Sequence, residues 1–537
     1  MKRKLLFIGT LILLMVVLCQ APAAAETSGQ CGDEVFYLFN SVTGTAVFSG
    51  TGPMWDYEGA DSPFYGSEEI RSVTVGDGVT SIGARLFSDC SQLKDVSLPT
   101  GLEEIGEYAF SNTGLSGIDF PDSVTNIGDG AFTSCRTLES VSIPYGVSDI
   151  GDYTFYECES LETVTIPESI TEIGERAFSF CTVLSHLVIP NSVESIGIYA
   201  FAYSGLTEAT LPNRLGAVSN GSFSDCSSLE SVTIPASVKS IGEFAFCGCT
   251  MLKSVAIPGS VKTIGQQAFY QCENLLHAVI EEGVQTFGKS VFGYCGELQD
   301  ISIPDSVTDM SEGTFVFCES ITSAKLPSSI TAIGQNAFMH CTSLQSIRIP
   351  ESVNTIGNAA FAACYSLKAV SVPAGVESIG ANAFRECYDM TDIFIRNPSV
   401  PIGTAAFEEC IPEFTIHGYS NSTAQDYANN NGHIFALIVD MGTPDLILPS
   451  DLTVIGAEAF SGIKAEAVYI PDTVASMCSK AFANCANLVR IRIPETITVI
   501  PEDVFYGVDK SKLTVFCVAG SAAENYARAK GIAFEVE

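Results

Sequence analysis

Residues 138–158 read LESVSIPYGVSDIGDYTFYEC, and this stretch decides the fold. Leu138, Val141 and Ile143 alternate with polar residues as in an extended strand. Pro144 ends the strand, because proline cannot donate to a sheet ladder. Val147 and Ile150 are the next inward positions, and Gly151 is expected to permit a tight bend. Phe155 then plugs the interior, and Cys158 follows three residues later. One strand and one aromatic plug cannot close a core alone, so the stretch needs neighbours of its own kind.

Those neighbours are present. The proline recurs at Pro99, Pro121, Pro144, Pro167, Pro190, Pro212, Pro235 and Pro258. Glu281 takes the place once, and Pro304, Pro327, Pro350 and Pro373 follow; a second block carries Pro449, Pro471 and Pro494. The step is 23 residues, twice shortened to 22 in the first run. The phenylalanine occurs fifteen times at this spacing from Phe87 to Phe407, then returns at Phe460, Phe482 and Phe505, giving 18 units. The consensus is L-x-x-V-x-I-P-x-x-V-x-x-I-G-x-x-A-F-x-x-C. A fixed period of this length is the mark of a solenoid, in which each unit buries its apolar face only against the next. The fold class expected is a right-handed curved repeat solenoid. A parallel β-sheet forms one face, and short helical turns or extended segments form the other.

The repeat resembles the BspA-like class of leucine-rich repeats over about Ile70 to Leu513. The segment from Cys31 to Ile82 is similar to the leader of such arrays, with SGTGPM (Ser49–Met54) and SPFY (Ser62–Tyr65) before VTVGDGV (Val73–Val79). The resemblance implies a secreted or surface bacterial protein, with adhesion to host matrix proteins or other cells as its activity.

Lys2, Arg3 and Lys4, the apolar run Leu5–Leu18 and Ala23–Ala25 have the layout of a signal peptide, residues 1–25, cleaved after Ala25. Residues 26–70 are read as a leader and cap, with an alternating strand pattern around Thr45–Phe48 that covers the open end of the stack. Array 1 spans 71–412 with about fifteen units, and array 2 spans 441–512 with about three. Two cap-like segments, 413–440 and 513–537, share a strand, an Ala/Tyr-containing helix and a closing glycine: Ala424, Tyr427, Ala428 and Gly432 match Ala523, Tyr526, Ala527 and Gly531. Three units are near the minimum for independent stability, so array 2 is expected to dock rather than swing. No later stretch reads as a transmembrane span.

With 62 acidic against 26 basic residues the net charge is −36, which argues against nucleic acid or anionic lipid as partner. Fourteen of the 19 cysteines share one column, from Cys90 to Cys485. Thr113, Ser204, Ile463 and Val508 also fill it, so the column needs a small buried side chain rather than a thiolate. Side chains in a ladder lie parallel, which disfavours disulfides between rungs. The five histidines, His186, His277, His340, His417 and His433, are read as scattered surface residues. Paired acids such as Glu103–Glu104 fall at solvated turns. No catalytic or phosphate-binding motif is present, so no enzyme, metal or cofactor is expected.

Strand alternation gives the sharper functional expectation. If Val141 and Ile143 face inward, Ser140 and Ser142 face outward. The outward rows continue as Thr163 and Thr165, Ser231 and Thr233, Ser323 and Lys325, Ser346 and Arg348: short, polar and mostly uncharged. The departures from this lawn, Lys325, Arg348, Phe394, Tyr469, Arg490 and Arg492, are the candidate partner-binding residues, because aromatics and arginine carry most interface energy. The reading is an extracellular binding or adhesion protein for a protein or glycan, such as a host matrix protein. Its rival is a structural spacer or surface-coat component without a dedicated ligand.

Overall fold

The computed structural model describes residues 26–438, 446–449 and 452–536. The expected signal peptide and the start of the second array near 441 lie outside the described residues. A solenoid of about 21 parallel-strand turns is observed. It divides into two units, residues 1–273 and 274–537.

The turn quoted above shows how each rung forms. Strand Ser140–Ser142 pairs in parallel with Thr163–Thr165, Val141 opposite Val164. On the second wall, Asp149–Ile150 pairs with Glu172–Ile173. Leu138, Val141, Ile143, Val147, Ile150, Phe155 and Cys158 are all buried. In the second unit, eight parallel strands run in order from His277–Ile280 to Ile434–Leu437. A further five-stranded parallel sheet runs from Leu446–Ile447 to Ala533–Val536.

The phenylalanines form stacked columns. Phe155, Phe178 and Phe201 lie 5.4 and 5.6 Å apart between ring centroids, with planes within 14° of parallel. Phe338, Phe361 and Phe384 repeat this at 5.4 and 5.2 Å in the second unit. Each ring removes a full aromatic side chain from water, worth about 1.5–3 kcal/mol. Phe460, on the first turn of the second array, is only partly buried.

The bend at Gly151 is a correction. Gly151 does not adopt a positive φ; the residues that do are mostly not glycines. The Ile-Gly glycines are small because the previous turn is close. A Cβ on Gly174 would stand 2.7 Å from the Asp152 nitrogen, and on Gly197 2.5 Å from the Glu175 nitrogen. The left-handed positions flank the phenylalanine two residues away on each side: Tyr153 (φ 58) and Glu157 (φ 56) around Phe155, Arg176 (φ 50) and Phe180 (φ 62) around Phe178. Such a backbone costs roughly 1–2 kcal/mol per non-glycine residue. It is offset by three bonds per turn to the next rung: the amides of Tyr153, Phe155 and Glu157 donate to the carbonyls of Glu175, Ala177 and Ser179 at 2.8–2.9 Å.

Every such bond points the same way, so the wall has an acceptor end and a donor end. In the first unit the leader closes the acceptor end. Its hairpin, Val35–Asn40 with Thr45–Gly50, pairs in parallel with Ser72–Val75. Below it, Tyr57 N, Ser62 Oγ and Gly66 N donate to the otherwise open carbonyls of Ala84, Leu86 and Ser88. In the second unit, helix α1 (Thr423–Asn431) sits over the donor end of the last Phe407 turn, where the Tyr427 hydroxyl accepts from the Phe407 amide at 3.4 Å. Burial raises the Tyr427 pKa, which keeps that hydroxyl protonated. Helix α2 (Ala522–Lys530) follows the second array in the same way, but its tyrosine bonds in the opposite sense: the Tyr526 hydroxyl donates to the Glu502 carbonyl at 3.2 Å. Both helices start on a serine cap, Ser422 or Ser521, and end on a left-handed glycine, Gly432 or Gly531.

The cysteine column is free and largely buried. Each thiol has a partner the spacing did not reveal. Cys158 Sγ donates to the Phe132 carbonyl and Cys181 Sγ to Phe155, both at 3.2 Å; Cys341 does the same to Phe315. Thr113, which fills the column in the Phe110 turn, bonds differently: its Oγ1 donates to the carbonyl of its own turn's Phe110 at 2.9 Å, beside the Cys135 thiol that reaches the same carbonyl at 3.0 Å. Burial pushes these thiols up, Cys135 to about 11 and Cys226 to about 12.

Candidate binding face

Alternation holds along the strand wall. Ser140, Ser142, Thr163, Thr165, Ser231 and Thr233 are exposed, and the residues between them pack inward. Val188 and Val279, two apolar residues in these rows, are 83% and 58% exposed, so nothing within the described chain covers them. In the first unit the strand rows carry no lysine or arginine; in the second they carry Lys325, Arg348, Arg490 and Arg492.

Lys325 and Arg348 are exposed. The register Ser323↔Ser346 and Ala324↔Ile347 sets them side by side on neighbouring strands. Among the described residues neither forms an ion pair. Lys325 acts on Asp305 only at longer range, adding to the lowering of its pKa by two hydrogen bonds from Ser328. Several other repeat cations have an acid one rung away: Arg136 with Glu157 at 2.6 Å, Lys289 with Glu312 at 2.8 Å, Arg385 with Glu409 at 2.6 Å.

Phe394, Tyr469 and Arg492 are placed differently from the expectation. Phe394 is 4% and Arg492 7% exposed. Phe394 lies opposite His417 in register, and the rings stack at 4.2 Å. Tyr469, from the second array, meets Phe394 edge-on at 5.0 Å. The Arg492 guanidinium lies 4.8 Å over the Tyr469 ring, 2.8 Å from Asp472, and donates to the Ile470 carbonyl at 2.9 Å. His417 Nε2 is 2.8 Å from Asp392 Oδ1 and the residue is 6% exposed, so the reading of it as a surface histidine is corrected. His186 and His277 are exposed. The outward rows of the two arrays thus meet here. Alternation tells which side of a sheet a residue takes, not what lies over that side. Arg490 is half-buried, and among the described residues its Nε has no hydrogen-bond partner.

One feature escaped sequence reasoning because it has no period. Trp55, the single tryptophan, is 41% exposed in the leader and donates from Nε1 to Asp33 Oδ1 at 3.1 Å. It borders a shallow pocket of about 310 Å³ with Glu34, Thr51 and Met54. Among the described residues no group of three or more His, Cys, Asp or Glu side chains is placed to hold a metal, and no helix is long and apolar enough to cross a membrane.

A parallel-strand solenoid with one open polar wall and capped ends defines a leucine-rich-repeat scaffold. The model of the BspA type leucine-rich repeat region matches residues 60–185, 171–299, 285–413 and 441–525, and the chain belongs to that family. A leucine-rich repeat protein of Bacteroides ovatus is 24% identical over 76% of this chain and 99% of its own, with a TM-score of 0.51. One from Eubacterium ventriosum is 22% identical over 72% and 95%, with a TM-score of 0.41. A leucine-rich cell surface protein of Faecalibacterium prausnitzii is 25% identical over 70% and 95%, with a TM-score of 0.32. No curated protein matches the sequence. Proteins of this family are bacterial surface or protein-interaction scaffolds, typically without enzymatic activity.

Proposed function

We propose that the chain is an extracellular binding and adhesion protein that presents its strand wall to a protein or glycan, host matrix proteins among them. One observation carries this reading. The wall is open and hydroxyl-rich, and its basic departures lie on the second unit, where Lys325 and Arg348 stay exposed and, among the described residues, unpaired. A surface of that kind binds through many weak polar contacts with a few strong ones.

The test is saturable binding of the full chain to a panel of extracellular matrix proteins and glycans. Ser142→Arg with Ser302→Arg places bulk on the strand wall; Ser148→Arg with Thr308→Arg places the same bulk on the second wall. Loss of binding in the first pair alone supports the reading. Equal effects, or no partner in the panel, refute it. The mostly short, uncharged outward rows of the first unit favour a second reading, a structural spacer or surface-coat component without a dedicated ligand, and a chain that binds nothing moves weight there.

A further inference from the structure

We infer that Lys325 and Arg348 form an anion site on the strand wall whose partner is an acidic polysaccharide, one that carries a carboxylate or sulfate on each sugar ring. The inference rests on the binding function proposed above and names the chemistry of its ligand. Like charges directly opposed on neighbouring strands destabilise a sheet. This chain has 62 acids and pairs several other cations with them, yet among the described residues these two directly opposed cations have no ion-pair partner. An arrangement unfavourable to the free chain and free of internal partners is what an external anion stabilises.

The surroundings select the class of anion. The two cations are flanked along their row by Ser302 and Ser371, and Ser346 lies exposed beside Arg348. The site therefore offers charge and hydroxyls on an exposed sheet face. It lies on the face of the sheet, so a peptide cannot join as an added strand. Spacing decides further. Rungs are about 4.8 Å apart, whereas side chains on one face of an extended peptide repeat every 6.6–6.8 Å or so. Acidic side chains fall out of step with the rungs, while a linear chain of pyranose rings advances by about one ring per rung. The net charge of −36 does not forbid this. Exposed charges are screened over about 8 Å at physiological salt. The nearest acids of the strand rows, Asp300 and Asp392, are engaged by Ser323 and His417.

The full chain is passed over immobilised heparin, which carries sulfates and carboxylates, over polygalacturonate, which carries carboxylates alone, and over polyglutamate. Salt-sensitive retention on at least one of the two glycans is expected, with polyglutamate at least tenfold weaker; retention on heparin alone assigns the anion as sulfate. Lys325→Ser with Arg348→Ser, which keeps the serine already used in this row, should weaken glycan binding at least tenfold. Lys94→Ser with Lys464→Ser removes the same charge off the strand rows and should leave binding within twofold. Equal weakening by both pairs, equal retention on polyglutamate, or no retention on either glycan overturns the inference. If the chain binds a matrix protein but neither glycan, the ligand assignment fails while the binding function stands; if it binds nothing, both fail.

Discussion

Phe178→Ala removes one ring from the middle of the first unit's aromatic column. Phe178 is fully buried, with stacked rings 5.4 Å below and 5.6 Å above. A buried Phe→Ala change costs about 3–5 kcal/mol, the transfer of the ring plus the cavity it leaves. Neighbouring turns are held by their own contacts and collapse poorly, which places this site in the upper half of that range. Phe460→Ala is the internal control. Phe460 is half-buried on an end turn and has a single stacked neighbour, Phe482 at 5.4 Å. About half the cost, on the order of 1.5–2.5 kcal/mol, is expected there. A long repeat array does not unfold in two states, so a single melting midpoint is the wrong readout. Amide hydrogen exchange resolved by segment is the right one. Protection should fall by about three to four decades across residues 153–205 for Phe178→Ala, and by about one to two around 455–485 for Phe460→Ala. Equal losses at the two sites, or a loss under tenfold at Phe178, would refute the claim that stacked columns hold the turns together.

Three further outcomes follow from the walls and the junction. Tyr427→Phe leaves the Phe407 amide without its acceptor, a loss of about 1–3 kcal/mol, so exchange at that amide should rise tenfold or more with little change near residue 300. The buried thiols titrate higher in the folded chain than the value of about 8.5 for an open chain. Their contribution is therefore complete below pH 8.5 and fades as pH climbs toward 11; alkaline melts should show this, and Cys226→Ser should flatten the slope. Arg492→Ala removes the guanidinium over Tyr469 and its bonds to Asp472 and Ile470. Exchange in strand Thr415–Gly418 should then rise roughly five- to thirtyfold, a loss of about 1–2 kcal/mol; an unchanged strand would show that the two arrays do not support each other through this cluster.

The turns, their inward columns and the outward rows were legible because each follows from a period. The deeper causes were not. Gly151 has the sequence look of a bend residue, but its reason is the previous turn's proximity, at Asp129, which no single unit displays. The left-handed residues around Phe155 are tyrosine and glutamate, which carry no signature of that backbone. The cysteines read as small and buried, which they are; their hydrogen bonds depend on where a carbonyl of the previous turn points. Tyr469 and Phe394 are far apart in sequence and belong to different arrays, so periodicity is silent about their contact. Lys325 and Arg348 stood out by composition alone, whereas their opposition on adjacent strands needed the register.

The one-way run of hydrogen bonds along the second wall has a consequence for how such a chain can change length. An inserted or deleted turn presents the same donors above and the same acceptors below as its neighbours, so the ladder closes again around any number of copies. The terminating pieces have no such freedom: the leader supplies donors and the helical piece after Phe407 an acceptor, so exchanging those two would set like groups against each other. Extension by internal duplication is therefore chemically neutral at every step, while the ends stay fixed. The second array, which carries its own helix, has the form of a copied tail that brought its terminator along.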